Sequence, residues 1–289
     1  MAGNPRDGMG GRQRTGGMRV LVSVDMEGIA GVVDGEDVSP GHAEYERNRR
    51  LITAEANAAV RGVYACDTDA RVLVTEAHGG FRNLLPEQLD RRAELLRGKP
   101  KPDGMLAGLA DGADAAVFIG YHGKAGTPRS VLAHTIHGGV VADVRCEGRS
   151  LGEIGLNAAL AAHSGVPAVL VSGDDTVAAE AALVAPGIHA VVVKRAVGFY
   201  AAALLHPDEA CDRIEEEVPK ALADREAIQP RRFDGPVVLE VEVLRPNMTE
   251  RALLIPGIER TDGCTLSYAA PDFPTAYRVI QLIIMLGGI

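Results

Sequence analysis

Residues 19–27 read Arg-Val-Leu-Val-Ser-Val-Asp-Met-Glu: a short run dominated by Val and Leu, then two carboxylates two positions apart. An apolar run of this length closed by a charge is the pattern of a parallel strand buried on both faces. Similar runs recur at Arg71–Thr75, Ala115–Gly120, Ala168–Ser172 and His189–Lys194. Helical spacing fills the gaps between them. Ser39-Pro40 reads as the cap and first residue of a helix from about Ala43 to Ala65. Pro86–Arg97 reads as a polar helix-like piece, Met105–Ala110 as one turn of helix, and Leu151–His163 and Asp175–Leu183 as helices. Val140–Arg145 reads as a further strand. Strands and helices in alternation mean βαβ units. The expected fold is α/β: a doubly wound, mostly parallel sheet in three α/β/α layers over residues 18–195.

The last third has another texture. Asp208–Ala223 is helical in pattern, with Pro219 expected to kink or split it. In Pro236–Leu244, Val237, Leu239, Val241 and Val243 share one face while Glu240 and Glu242 take the other. Cys264–Ala269 reads as a strand and Asp272–Leu286 as an apolar closing helix. Residues 196–289 are therefore expected to form a second, smaller α+β domain, unless the closing helix packs back on the first. Residues 1–17, rich in Gly and Arg and lacking the apolar core of a secretory signal, read as a disordered leader.

Composition narrows the function. The formal net charge of −9 repels phosphate backbones and anionic lipid, so nucleic acid and membrane surfaces are not expected partners. The most apolar tail, from Val279 onward, is too short to cross a bilayer. Cys66, Cys146, Cys211 and Cys264 form neither a C-x-x-C pair nor a disulfide framework, which suits a reducing cytoplasm.

The chemistry gathers where strands are expected to end. Asp25 and Glu27 can aim at one point, and adjacent carboxylates repel unless a cation lies between them. As a capping Asp beside a solvated Glu, the pair has an equally good structural reading. His78 follows the second strand and His122 the third, each beside glycine. Either alone reads as a loop histidine; together with Asp25 and Glu27 they share one rim of the sheet, the rim where open α/β sheets bind ligands. Glu153 stands three residues after Ser150, which is the spacing of a capping box, and alone it reads as a cap. Spacing assigns no role to His134 or His137, and Asp174-Asp175 reads as a helix cap. Three carboxylates and two imidazoles without a thiolate suit zinc, manganese or cobalt. Five ligands exceed one catalytic ion and suit two ions activating water for hydrolysis. Gly148-Arg149-Ser150-Leu151-Gly152 formally matches a serine-hydrolase elbow, a weaker reading because the match is short and its strand uncertain.

Five pieces in this order carry a family resemblance: Ser23-Val24-Asp25-Met26-Glu27-Gly28-Ile29, Gly120-Tyr121-His122, His134, Gly152-Glu153-Ile154-Gly155-Leu156-Asn157 and Gly173-Asp174-Asp175. The chain resembles the zinc-dependent D-aminopeptidases of bacterial dipeptide-permease operons from Met18 onward, most clearly up to Asp175. The resemblance implies two zinc ions per subunit on Asp25, Glu27, His78, His122 and Glu153, a set whose mixed oxygen and nitrogen donors also admit manganese or cobalt. It implies His134 as the catalytic histidine, a short peptide with an amino-terminal D-residue such as D-Ala as substrate, and a homo-oligomer of ring type. Glu76 departs from the family, which carries Asp at that position. The competing functions are a two-metal amidase or phosphoesterase on the same ligands, and a dipeptide-binding protein without turnover.

Overall fold

The computed structural model describes residues 16–288, so the expected leader lies outside the described residues except for Gly16 and Gly17. In chain order the strands are β1 (Arg19–Val24), β2 (Arg71–Glu76), β3 (Glu94–Leu96), β4 (Ala115–Tyr121), β5 (Val141–Cys146), β6 (Arg149–Ser150), β7 (Ala168–Asp174), β8 (His189–Gly198), β9 (Ala201–Leu204), β10 (Val237–Val243), β11 (Ile258–Arg260) and β12 (Thr265–Ala270). The helices are α1 (Gly35–Val38), α2 (Ala43–Cys66), α3 (Glu153–His163), α4 (Asp175–Val184), α5 (Pro207–Ala223), α6 (Pro246–Ala252) and α7 (Phe273–Gly287).

The larger sheet runs β3-β2-β1-β4-β7-β8-β9, parallel throughout except for the β8–β9 hairpin. Alternate residues of each inner strand serve opposite layers. Val20, Val22 and Val24 of β1, with Val117 and Ile119 of β4, pack toward α2 and α5. Leu21 of β1 and Phe118 of β4 join the core that holds α3 and α7. Both faces are covered, as the unbroken apolar runs require. The smaller sheet, β11-β12-β10-β5-β6, is antiparallel. Its β10 buries Val237, Leu239, Val241 and Val243 as the alternation predicts. The two sheets do not divide the chain at residue 195. β5 and β6 leave for the small sheet, whereas β9 and α5, beyond that point, stay with the large one, α5 packing on α2. Helix α7 touches both units: it packs on β10 and β12, and Tyr277 Oη donates to Asn157 Oδ1 of α3 at 2.7 Å.

Three local expectations change. Ser39 does not cap α2; it ends α1, its Oγ donating to the Gly35 carbonyl, and His42 stands at the start of α2. The short α1 forms because Asp34 and Asp37 make a reciprocal capping box. Residues 86–97 are not helical. Side chains of α2 satisfy their backbone instead: Asn57 bonds the Gln88 carbonyl and the Asp90 amide, and Tyr64 Oη the Arg92 carbonyl. That leaves Glu94–Leu96 free to pair with β2. Pro219 does not split α5, which runs on through it.

Candidate metal centre

The large sheet winds outward in opposite directions from β1 and β4. A crevice opens at the carboxyl ends of such neighbours. Asp25 follows β1, His78 follows β2, His122 follows β4, and Glu153 opens α3. Glycine lets the first and third of these come together. A Cβ on Gly28 would lie 1.9 Å from the Tyr121 carbonyl oxygen, and one on Gly120, whose φ is +71°, would lie 2.2 Å from that of Asp25. Bare backbones therefore touch here, tied by Gly28 N to the Gly120 carbonyl at 2.7 Å and Asp25 N to the Ile119 carbonyl at 2.8 Å. Lys194, buried at the centre of β8, donates from Nζ to the carbonyls of Glu27, Ile29 and Val32 and so fixes the turn behind Glu27. Sequence reading missed it; a lysine ending an otherwise apolar strand run was its only signal.

Asp25, Glu27, His122 and Glu153 are all at most 5% exposed, so their contacts decide their chemistry. Each histidine has one nitrogen on a carbonyl: His78 Nε2 on Val38 at 3.0 Å, His122 Nδ1 on Gly123 at 3.0 Å, and His134 Nδ1 on Leu132 at 2.9 Å. A carbonyl only accepts, so that nitrogen carries the proton, and the other presents a lone pair when the ring is neutral. These second nitrogens converge on the carboxylates. His78 Nδ1 lies 2.8 Å from Glu27 Oε2 and 3.5 Å from Asp25 Oδ1. His122 Nε2 lies 3.5 Å from both Asp25 Oδ2 and Glu153 Oε1. His134 Nε2 lies 3.6 Å from Glu153 Oε1 and 3.8 Å from Glu27 Oε1. The His122 and His134 rings stack at 4.2 Å, which holds both orientations.

Charge is frustrated in this cluster. Burial, helped by Glu27 and Glu153, pushes the Asp25 carboxyl well above its usual range. Burial acts likewise on Glu27 and Glu153, but the imidazoles overcome it: His78 foremost holds Glu27 well below its usual range, and His122 holds Glu153 at about 2. His122, desolvated yet facing Glu153, Glu27 and Asp25, rises to about 10. His134 moves the other way, lowered by burial and then by His122. Divalent cations would displace these protons and answer every lone pair. His122 Nε2 tests the fit, since it is buried and has no hydrogen-bond partner among the described residues. Ligand atoms of Asp25, Glu27 and His78, and of Asp25, His122 and Glu153, each lie within 4.8 Å of one another. Asp25 belongs to both groups and offers one oxygen to each side. Glu27, His122 and His134 form a third group by the same measure.

Glu153 does not take part in the expected capping box. Pairing of β6 with β5 holds Ser150 on Asp143, its Oγ donating at 2.6 Å, and Gly152 is the residue that precedes the helix. Glu153 instead accepts the Ile136 amide at 2.7 Å. Ser150 is exposed, with its Oγ committed to Asp143, and it does not line the cavity over the carboxylate–histidine cluster. Asp174 does cap α4, receiving the Thr176 and Val177 amides. Glu76 faces away from the cluster. Its carboxylate accepts the Asn83 and Leu84 amides, and Asn83 Nδ2 reaches on to the His78 carbonyl at 2.8 Å, so Glu76 braces the loop that carries His78. A cavity of about 1020 Å³ opens over Asp25, Glu27, His78, His134 and Glu153.

A profile of the D-aminopeptidase family matches residues 18–282. The chain is 34% identical over 267 residues to the D-aminopeptidase of Bacillus subtilis strain 168, covering 92% of this chain and 96% of that one. Its fold superposes with a TM-score of 0.90 on the Zn-dependent D-aminopeptidase DppA from Bacillus subtilis, a self-compartmentalizing protease, at 34% identity over 94% of this chain and 98% of that one.

Proposed function

The chain belongs to the D-aminopeptidase family, and on that premise we propose that it is a zinc-dependent aminopeptidase that releases an amino-terminal D-residue of the D-Ala type from short peptides. Asp25, Glu27, His78, His122 and Glu153 would hold two zinc ions per subunit. The observation that carries this reading is the convergence of imidazole lone pairs and carboxylates around a buried His122 Nε2 that has no hydrogen-bond partner among the described residues. Zinc held there supplies Lewis acidity to the scissile carbonyl and acidifies water near neutral pH.

The protein's own groups do the rest. His134 is the catalytic base. Burial keeps its imidazole neutral, the Leu132 carbonyl keeps the proton on Nδ1, and Nε2 faces the carboxylates at the cavity floor. It can take a proton at Nε2 during attack and return it to the departing amine. Stacking on His122 prevents the ring from turning away. The Ile136 amide holds the Glu153 carboxylate, and Lys194 holds the turn behind Glu27, so two of the acids are fixed before substrate arrives.

The same proposal includes a ring-like homo-oligomer and a cytoplasmic setting. Val197, Phe199, Tyr200 and Leu204 are exposed on and beside the β8–β9 hairpin, an apolar surface suited to a second copy. All four cysteines are free, which suits a reducing compartment, and no helix among the described residues is long and apolar enough to cross a membrane. The test is release of alanine by zinc-loaded protein from matched D-Ala and L-Ala peptides, with and without chelator. Chelator-sensitive release of D-Ala is expected. Release of L-Ala alone would overturn the chirality, and cleavage of neither would overturn the peptidase reading.

A further inference from the structure

The lining of the large cavity is unequal in charge. Asp25, Glu27 and Glu153 line it, and among the described lining residues Lys99 is the one lysine or arginine. Two backbone bonds tie Gly98, the residue before Lys99, to the loop that carries His78. The Phe81 amide bonds the His78 carbonyl at 2.8 Å, and the Gly98 amide bonds the Phe81 carbonyl at 2.7 Å. Phe81 itself is buried with φ of +56°, a conformation that non-glycine residues hold only where the surroundings impose it. Its ring lies beneath Lys99 Nζ at 4.5 Å and Lys101 Nζ at 4.2 Å. The two lysines then differ. Lys101 is buried and spends its donors on Thr75 Oγ1 and the Glu76 carbonyl. Lys99 is exposed on the cavity lining, and no carboxylate among the described residues pairs with it.

We propose that Lys99 is the docking point for the carboxyl terminus of a short peptide substrate. The proposal rests on the aminopeptidase reading and adds to it a preference for peptides with a free carboxylate. A dipeptide is a zwitterion and can enter such a cavity in two directions. With cations at the floor, its carboxylate is itself a good oxygen ligand, and reversed entry would block the centre. An ammonium elsewhere on the lining, cushioned on an aromatic face and without a carboxylate partner among the described residues, favours the direction that delivers the amino end. A charge-assisted contact of this kind also limits the substrate to lengths that reach from centre to lysine.

The test compares D-Ala-D-Ala with D-Ala-D-Ala amide on zinc-loaded wild-type protein, Lys99→Met and Lys99→Arg. Lys99→Met should raise KM for the free acid about 10-fold, leave kcat within about twofold, and leave both constants for the amide within about twofold. Lys99→Arg should keep the preference for the free acid. Calorimetric titration of the same two compounds reads the preference whether or not turnover occurs. Equal effects of Lys99→Met on acid and amide, or no effect on either, would overturn the docking role. Absence of cleavage by the wild type, with the acid still bound more tightly than the amide through Lys99, would overturn the aminopeptidase reading and leave the docking role standing.

Discussion

The contact between Gly28 and the end of β4 makes a demand that one methyl group can test. In Gly28→Ala the new Cβ would lie 1.9 Å from the Tyr121 carbonyl oxygen, 2.5 Å from Gly120 C and 2.6 Å from Gly120 O. All three are backbone atoms, so no side chain can swing aside. To bring the nearest contact up to the 3.0 Å that real Cβ atoms respect, the turn after β1 and the end of β4 must part by about 1.1 Å. Overpacking of this kind costs about 1–3 kcal/mol, and the Gly28–Gly120 hydrogen bond adds about 1 kcal/mol if it is lost. The total of about 2–4 kcal/mol lowers the Tm of a chain of this size by about 3–7 °C. The catalytic effect should be larger in proportion. Asp25 and Glu27 sit on one side of the opened contact and His122 on the other, and a misplacement of about 1 Å can cost roughly 100-fold in rate. The assays are thermal unfolding, zinc content after dialysis and alanine release. Gly80→Ala is the control: it lies in the His78 loop, meets nothing within 4 Å, and should stay within about 0.5 kcal/mol of wild type. Wild-type zinc content and rate in a folded Gly28→Ala would refute the idea that this backbone contact sets the spacing of the centre.

His122→Ala should fold but lose zinc and activity together, read by elemental analysis of the dialysed protein; full occupancy would strike His122 from the ligands. His134→Ala should keep its zinc and lose about 10²–10⁴-fold in kcat, the usual contribution of a general base; near-normal turnover in the zinc-loaded variant would remove that role. Glu55, fully buried with its Oε1 on the Ala30 amide and its Oε2 without a hydrogen-bond partner among the described residues, is raised by desolvation to about 7. The native state then binds more protons than the unfolded chain between pH 4.5 and 7, so stability falls as pH rises through that window, by about 3 kcal/mol in all. Glu55→Gln should flatten this slope in denaturant titrations at pH 5 and pH 8, and an unchanged slope would place the titration elsewhere.

Much of this was legible from periodicity. The runs at 19, 71, 115, 168 and 189 became the inner strands of the parallel sheet, because apolar residues on both faces leave few alternatives. Asp25, His78 and His122 could be placed on one rim for the same reason: strand ends in a parallel sheet share an edge. What escaped was information carried by partners distant in sequence. Residues 86–97 have helical composition, yet Asn57 and Tyr64 claim their backbone groups. Glu153 has the spacing of a cap, yet the pairing of β6 with β5 removes Ser150, and the Ile136 amide claims the carboxylate. β9 and α5 complete the large sheet although they lie in the portion with the texture of a separate unit, since the antiparallel turn at 198–201 keeps the chain on that sheet's edge.

The segment that carries His134 escaped for a deeper reason. Arg129, Leu132 and Ile136 have φ of 51°, 51° and 62°, a region that favours glycine and that a β-branched residue enters at real cost. Sequence reasoning places such conformations at Gly or Asn, and none of these three positions advertises one. The surroundings supply what local preference does not. The Val131 amide and Ser130 Oγ are held by Asp174 Oδ2, the Leu132 amide by the Phe199 carbonyl, and the Ile136 amide by Glu153. Each anchor comes from a different element, so the loop has a shape only after β7, the β8–β9 hairpin and α3 have assembled. Left-handed turns at Leu132 and Ile136 bracket His134, aim the Leu132 carbonyl at its Nδ1 and the Ile136 amide at Glu153, and so set both the tautomer of His134 and the direction of a neighbouring carboxylate. Strain held in this way is pre-organisation: the assembled fold bears an unfavourable backbone, and the His134 ring is thereby fixed against the carboxylates.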